Sequence, residues 1–447
     1  MSNTLGFIRS LEYEQIPEQT RTLVSTALLD ILGVAAGAFR ADTATRMRRY
    51  AVKHCPAGEL KSRMLFDSRP VHPLGAGWVG GFTVDSLDAH EGHFTSKGHA
   101  GATVVPALLA LVDACRAQGR EISGREFLIC LTLGYELGLR AGVSLMATAP
   151  EYHASGAFSG LGVVAMGIRL LDLDDDTARH AFGIAEYFGP RCPMMRLVDY
   201  PSMLRDAHGA GAYSGLNALF MAMEGITGAP AVTIEQDEVS ANWLDLGERW
   251  EIDAQYFKPW PVCRWAQPAL TAMTDLLGKQ PLDPEQIESI EVDTFHESMR
   301  LQGHEPRDAD EAQYALAFPL AALLVRGQVG AQEVTGAAIH DESILAISRR
   351  ITLIDAADLS ARFPEEILSR LRIRLKDGSV LETPVTAAQG DPDKPITAEG
   401  FRDKYRRLAG AGLSAPQVEA LAAAVDSLPQ AADCRALLDL ALSADMT

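Results

Sequence analysis

No C-x-x-C pair occurs among the six cysteines (Cys55, Cys115, Cys130, Cys192, Cys263 and Cys434), so the common zinc and dithiol motifs are missing. Scattered singletons, with Cys115 and Cys130 inside apolar helix-like stretches, read as buried thiols rather than disulfide partners or zinc ligands. Basic charge is also scarce. Lys and Arg number 40 against 59 Asp and Glu, a formal net charge of -19, which removes the diffuse cationic footprint that nucleic acid or an anionic membrane would select. An anionic substrate must therefore be held by a few local cations. No uninterrupted apolar run reaches the roughly 18 residues of a membrane span. The opening Met1-Ser-Asn-Thr-Leu-Gly lacks the basic stretch, apolar core and cleavage site of a signal peptide. These absences predict a cytoplasmic protein with neither a nucleic-acid nor a membrane partner.

Nucleotide and nucleophile signatures are missing too. Gly160-Leu-Gly162 and Gly209-Ala-Gly211 start glycine-rich strings, but neither completes G-x-G-x-x-G after a strand pattern. Gly156-Ala-Phe-Ser159-Gly160 does not match the G-x-S-x-G elbow. With no phosphate-binding lysine loop either, dehydrogenase, kinase and serine hydrolase are disfavoured.

What is present is an ordinary globular composition: 447 residues, 47% hydrophobic, enough for a large core and for two domains rather than one. Val24, Leu28, Ile31 and Ala35 share one helical face, predicting a helix over 18–39. Ser123-Gly-Arg-Glu126 matches a capping box ahead of Phe127-Leu-Ile-Cys. Segments 154–171 and 209–223 mix Gly, Ala and Ser with large apolar residues, which lets helices or a ligand approach closely. After about residue 275 the period changes. Ile290, Val292 and Thr294 alternate with acids, and Leu371, Ile373 and Leu375 run into Asp377-Gly378 and then 380–385, a hairpin pattern with a type I′ turn. Residues 311–325 read as helix, and the tail from Thr397 is helical again. The expected fold is mostly α: an all-helical domain over 1–265 together with 395–447, and a smaller α+β domain over 266–394.

Four clusters carry chemistry. Asp88-Ala-His90-Glu91-Gly-His93-Phe-Thr-Ser-Lys97-Gly-His99 holds three of the eleven histidines. It suits either a metal site, with His90, Glu91, His93 and His99 as ligands at no standard spacing, or acid/base chemistry near neutral pH. Tyr152-His153-Ala-Ser155-Gly156 precedes a helix, as a cap or as a histidine beside anion-binding amides. Arg205-Asp206-Ala-His208 leads into another small-residue helix, where Arg205 and His208 suit an anion or a plain salt bridge. In Lys258-Pro-Trp-Pro261-Val-Cys263-Arg264-Trp265-Ala-Gln267 the prolines stiffen a loop, and Cys263 has no adjacent base to make it a nucleophile.

In this order the clusters resemble the MmgE/PrpD family, which includes 2-methylcitrate dehydratase, cis-aconitate decarboxylase and iminodisuccinate epimerase. The resemblance runs from Leu28-Leu-Asp-Ile-Leu-Gly-Val through Ser86-Leu-Asp88, Gly98-His99-Ala-Gly-Ala-Thr-Val-Val-Pro106, Gly134-Tyr-Glu-Leu, Tyr152-His153, Ala181-Phe-Gly-Ile-Ala and His208. It continues through Gly225-Ile-Thr-Gly-Ala-Pro230, Lys258-Pro-Trp-Pro-Val-Cys263 and Gly390-Asp-Pro392. It implies a helical domain built from both chain ends, a homodimer, and an active site using neither metal nor organic cofactor. It assigns catalysis to Asp88, His99 and His153, and substrate contacts to Tyr152, His90, Arg205, His208, Lys258, Cys263, Arg264 and Gln267.

The chain departs from better-known members at three places. His90 and Glu91 replace further acidic residues, with one extra residue before His99; Arg205 replaces a lysine; and Gln267 replaces a histidine. Gln cannot titrate, so one proton carrier is lost or supplied elsewhere, with His90 and His93 as candidates. The expected chemistry makes or protonates a carbanion next to a carboxylate of a small polycarboxylate. His153 and His99 move protons, Asp88 orients or polarises one of them, and Arg205 with Lys258 grips carboxylates. Dehydration ranks first, then epimerisation, then decarboxylation. Two different readings stand beside it: a metal-dependent hydrolase on the Asp88 to His99 cluster, and a silent binding protein in which Gln267 marks lost activity.

Overall fold

A computed structural model describes residues 1–443. Helix dominates, with 58% of residues against 10% in strands, which makes the chain mostly α. The amphipathic stripe at Val24, Leu28, Ile31 and Ala35 becomes the helix Glu18–Ala38, and those four side chains are buried. Pro73–Asp85, Gly101–Ala117 and Gly124–Thr148 pack on it, and Gly156–Leu171 and His208–Met223 pack on those helices and on each other. Glu18–Ala38 and Gly124–Thr148 are long and apolar enough to cross a membrane, yet 67% and 94% of their most apolar windows are buried by the rest of the chain.

Small residues set how closely these helices approach. A side-chain carbon at Gly156 would lie 2.2 Å from the Ala207 carbonyl oxygen, and one at Gly215 would lie 2.5 Å from that of Gly160. Gly160, Gly167, Gly211 and Gly215 serve contact between Gly156–Leu171 and His208–Met223, while Gly162 and Gly209 let these helices approach Gly124–Thr148 and Pro73–Asp85. The tail returns to the N-terminal helices. Ala398–Ala409, capped by Thr397 through the Gly400 amide at 3.1 Å, lies on Glu18–Ala38, where buried Lys404 reaches Asp30 Oδ1 at 2.6 Å.

Strands fall late, as the period change predicts. The main sheet runs Ile351–Asp355, Ile287–Thr294, Leu368–Leu375, Val380–Glu382, with the first pair parallel and the others antiparallel; Thr386–Ala387 adds to Leu368–Leu375. Ile290 opposite Ile373 and Val292 opposite Leu371 put the apolar alternation on the buried face, against the helix Gln267–Leu277. That helix also anchors the 258–266 loop.

Several local expectations change. At Asp377-Gly378 only Gly378 has positive φ (+88°), so the turn is not type I′; the Asp377 carboxylate accepts from the Ser379 amide at 2.9 Å. The second strand of this hairpin ends at Glu382, before Pro384, which has no N–H for the ladder. The helix expected over 311–325 is two, Ala309–Gln313 and Ala317–Arg326. Between them Leu316 N–H donates to the Leu301 carbonyl at 2.7 Å, and the break turns Tyr314 toward a cavity. The capping box is half formed: Ser123 accepts from Glu126 N–H at 3.2 Å, whereas the Glu126 carboxylate binds Arg169 at 2.8 and 3.0 Å. All six cysteines are free; four are buried, while Cys55 and Cys192 are only partly so.

Candidate active site

A cavity of about 280 Å³ opens where these parts meet, a size suited to a small molecule. Its polar lining includes Asp88, His93, Lys97, His99, Tyr152, Tyr256, Cys263, Arg264 and Tyr314. Its apolar lining includes Met194, Met195, Val198, Trp265, Phe363 and Ile367.

Residues 86–100 follow Pro73–Asp85 before the next helix, irregular apart from the short strand Gly92–His93 paired with Gln255–Tyr256, and two of their side chains hold that segment in place. Glu91 Oε1 accepts from Gly101 N–H at 2.8 Å at the start of Gly101–Ala117. His93 lies 3.2 Å from Glu251 and, through Nδ1, 3.2 Å from the Ser96 amide. Glu91 and His93 are thus structural, and the four-ligand metal set read from the sequence is not brought together.

His99 is positioned for chemistry. Its Nδ1 lies 2.5 Å from the Glu91 carbonyl oxygen. A carbonyl only accepts, so Nδ1 carries the proton and Nε2 keeps its lone pair. Burial, reinforced by the Lys258 charge, lowers the ring from its ordinary 6.5 to about 4, so it is neutral at pH 7. Its backbone N–H donates to Ser155 Oγ at 2.9 Å, and Ser155 Oγ donates to Asp206 Oδ2 at 2.5 Å. Nε2 of His99 stands 4.0 Å from the same Asp206 oxygen.

Asp206 owes that placement to backbone strain, since Arg205 and Ala207 on either side adopt left-handed φ values of 40° and 59°. Burial alone would raise Asp206, but His208, His99 and Ser155 outweigh it and hold the carboxyl below its ordinary value. Lys258, fully buried, donates to Asp88 Oδ1. Asp88 N–H donates to Gln313 Oε1 at 2.8 Å, which aims the carboxylate at the cavity. His90 lies behind, its Nε2 3.7 Å from Asp88 and 4.0 Å from Asp85. Burial lifts Asp85 to about 7, partly countered by His208. Cys263 is pushed up to about 12 by burial, and Tyr256 and Tyr314 are raised by burial as well, so the thiol and both phenols face the cavity protonated.

Of the residues singled out from sequence, Asp88, His93, His99, Tyr152, Cys263 and Arg264 line the cavity. Arg205 does not. Its guanidinium is buried against Asp310 at 2.7 Å and Gln313 at 2.8 Å, so it ties helix Ala309–Gln313 to the core instead of meeting a carboxylate. The partner is Asp310, not the adjacent Asp206. Gln267 is also structural, donating to the Trp260 and Val262 carbonyls at 2.9 Å each and so holding the 258–263 loop. His153 is buried beside the lining, its backbone bridged to Pro193 and its Nδ1 without a hydrogen-bond partner. His208 bonds Thr103 Oγ1 at 3.0 Å and lies behind the wall, as do Lys258 and His90. Ser155 makes no side-chain cap; it joins His99 to Asp206 instead.

Residues missed in the sequence are Ser155 and Asp206 as linkers, Asp85, and the lining side chains Tyr256, Tyr314 and Phe363. Asp206 had one signal, its place between a cation and a histidine. Tyr314 and Phe363 come from distant segments, and no local pattern marks them.

Residues 4–253 match the MmgE/PrpD N-terminal domain and residues 260–430 the MmgE/PrpD C-terminal domain. A cis-aconitate decarboxylase-like protein oryM of Aspergillus oryzae (strain ATCC 42149 / RIB 40) is 23% identical over 409 residues, 83% of each chain. The cis-aconitate decarboxylase of Aspergillus terreus is 22% identical over 96% of this chain and 93% of its own. That of Homo sapiens is 24% identical over 82% of this chain and 79% of its own.

Proposed function

Because this chain belongs to the MmgE/PrpD family, we propose that it is a lyase acting on a small di- or tricarboxylate by removing a proton next to a carboxylate, with dehydration as the reaction. The observation that carries this reading is the state of His99: neutral, with Nδ1–H held by the Glu91 carbonyl and the Nε2 lone pair free. A base in that state removes the α-proton. Negative charge then builds on the substrate carboxylate and is stabilised by Arg264 and by the hydroxyls of Tyr256 and Tyr314, beside a largely apolar lining. A departing hydroxyl needs a proton, and the protonated Cys263 thiol and the two phenols face the same space.

Arg264 is the natural carboxylate anchor. It pairs with Asp391 and stacks 4.3 Å over the Tyr256 ring, while its Nε and Nη1 have no hydrogen-bond partner. The apolar lining favours a substrate with a hydrocarbon part beside its carboxylates.

Decarboxylation is the second reading, favoured by the names of the three relatives. In it a carboxylate against the apolar lining leaves as carbon dioxide, and a thiol or phenol protonates the carbanion. Product analysis by NMR over a panel of hydroxy and unsaturated polycarboxylates separates the two: an alkene formed with loss of water supports the first, and carbon dioxide release supports the second. No turnover of any member removes both.

A further inference from the structure

Behind the cavity wall, Asp85, His90 and His208 form a cluster that the proposed chemistry does not use. One ligand atom from each, all buried, lies within 4.8 Å of the others. Nε2 of His90 and Nε2 of His208 are both without a hydrogen-bond partner, and Asp85 Oδ1 stands 4.0 Å from the His90 nitrogen. Buried polar atoms left in this way are uncommon and call for a partner.

The opposite ring nitrogens say which form the imidazoles take. Nδ1 of His90 faces the Glu91 carbonyl at 3.4 Å, and a carbonyl can only accept. Nδ1 of His208 lies 3.0 Å from Thr103 Oγ1, which is also 3.3 Å from the His208 carbonyl oxygen. His90 therefore carries hydrogen on Nδ1 and turns an Nε2 lone pair toward Asp85, whereas Nε2 of His208 also stands 3.5 Å from Asp206 Oδ2, so an ion at this cluster displaces the proton of that pair. An imidazole whose far N–H is fixed by an oxygen acceptor is the usual setting of a metal-ligating histidine.

We propose that Asp85, His90 and His208 bind one divalent transition-metal ion of the Zn²⁺ or Co²⁺ class. Two imidazoles and one carboxylate suit such ions better than Mg²⁺ or Ca²⁺, which prefer all-oxygen sites. Ligand atoms around a tetrahedral ion at about 2.0–2.1 Å lie roughly 3.4 Å apart, so closing the cluster takes side-chain shifts on the order of 1 Å. His90 is shared with a second triad, Asp88, His90 and His99, but there Asp88 is already paired with Lys258. The inner triad is the better site for that reason. An ion at His90, whose ring centroid is 4.6 Å from that of His99, adds positive charge beside the base and weakens it. The proposed role is inhibitory, and the binding itself does not depend on which reaction the cavity runs.

The test is titration of metal-stripped full-length protein with Co²⁺, read by its visible absorption, followed by displacement with Zn²⁺. One equivalent binds, Zn²⁺ displaces it, and Zn²⁺ raises the melting temperature of the unmodified protein. Asp85→Asn and His208→Gln each weaken binding at least about 10-fold, whereas His99→Gln retains it. No stoichiometric binding to the unmodified protein overturns the proposal and leaves His208 to its pair with Asp206. Loss of binding in His99→Gln with retention in Asp85→Asn overturns the assignment to the inner triad.

Discussion

Nδ1 of His99 lies 2.5 Å from the Glu91 carbonyl oxygen, and this one contact decides which ring nitrogen is free to take a proton. His99→Gln keeps a side chain able to hydrogen bond but removes that lone pair. The rate should fall by roughly 100-fold or more with the fold intact, as measured by steady-state kinetics alongside circular dichroism. A near-normal rate means the base lies elsewhere.

The same ring sets a pH dependence. Burial and Lys258 lower His99 from 6.5 to about 4, so the base stays neutral as pH falls through 6 and 5. The acid limb of kcat/KM should therefore lie near pH 4 rather than 6.5. The unfolded chain, with its ordinary histidine, binds more protons between those values, so His99 contributes stability that is lost as pH falls from 6.5 toward 4. An acid limb centred at 6.5 would show that the ring titrates as if exposed.

Lys258 and Asp88 form a buried pair. Lys258→Met leaves an uncompensated carboxylate and should cost about 3–5 kcal/mol of stability. Lys258→Met combined with Asp88→Asn should cost less than the sum of the two single changes. Denaturant unfolding of the four proteins measures the coupling, and simple additivity would contradict the pairing.

Arg264 and Arg205 should separate by function. Arg264 lines the cavity with free N–H groups, so Arg264→Ala should weaken substrate binding by about 2–5 kcal/mol. Arg205 is committed to Asp310 and Gln313, so Arg205→Ala should lower the melting temperature while substrate affinity in the folded protein stays near normal. Substrate titration by calorimetry checks both, and the reverse pattern would restore Arg205 as the anion anchor.

Proton transfer by His99 needs no Lewis acid, so metal-stripped protein should keep its activity, and one equivalent of Zn²⁺ should lower it. Assays with chelator and with graded Zn²⁺ decide this. Activity lost on stripping and restored by metal contradicts the reading of the site.

Much of the fold is legible in the sequence because it rests on local periodicity: the stripe of Glu18–Ala38, the alternation of Ile287–Thr294 and the Asp377-Gly378 hairpin all follow from spacing. Where non-local hydrogen bonds compete, spacing misleads. The break at Tyr314 is held by Leu301 and Gln302, which lie outside any helical window. The site divides in the same way. The density of histidines at 88–99 marks the right segment, but sequence does not distinguish His99, with a free Nε2, from His93, set against Glu251. Nor does it show that the partner of Arg205 lies 105 residues away at Asp310.

The most direct test of the central claim, base-catalysed removal of a proton next to a carboxylate, is exchange in deuterated water. The protein is incubated with a panel of di- and tricarboxylates and deuterium incorporation is followed by NMR. At least one member should gain deuterium at the carbon next to a carboxylate, and His99→Gln should slow that exchange by roughly 100-fold. Folded protein that exchanges and converts no member, or His99→Gln that exchanges as fast as the unmodified protein, would contradict the account.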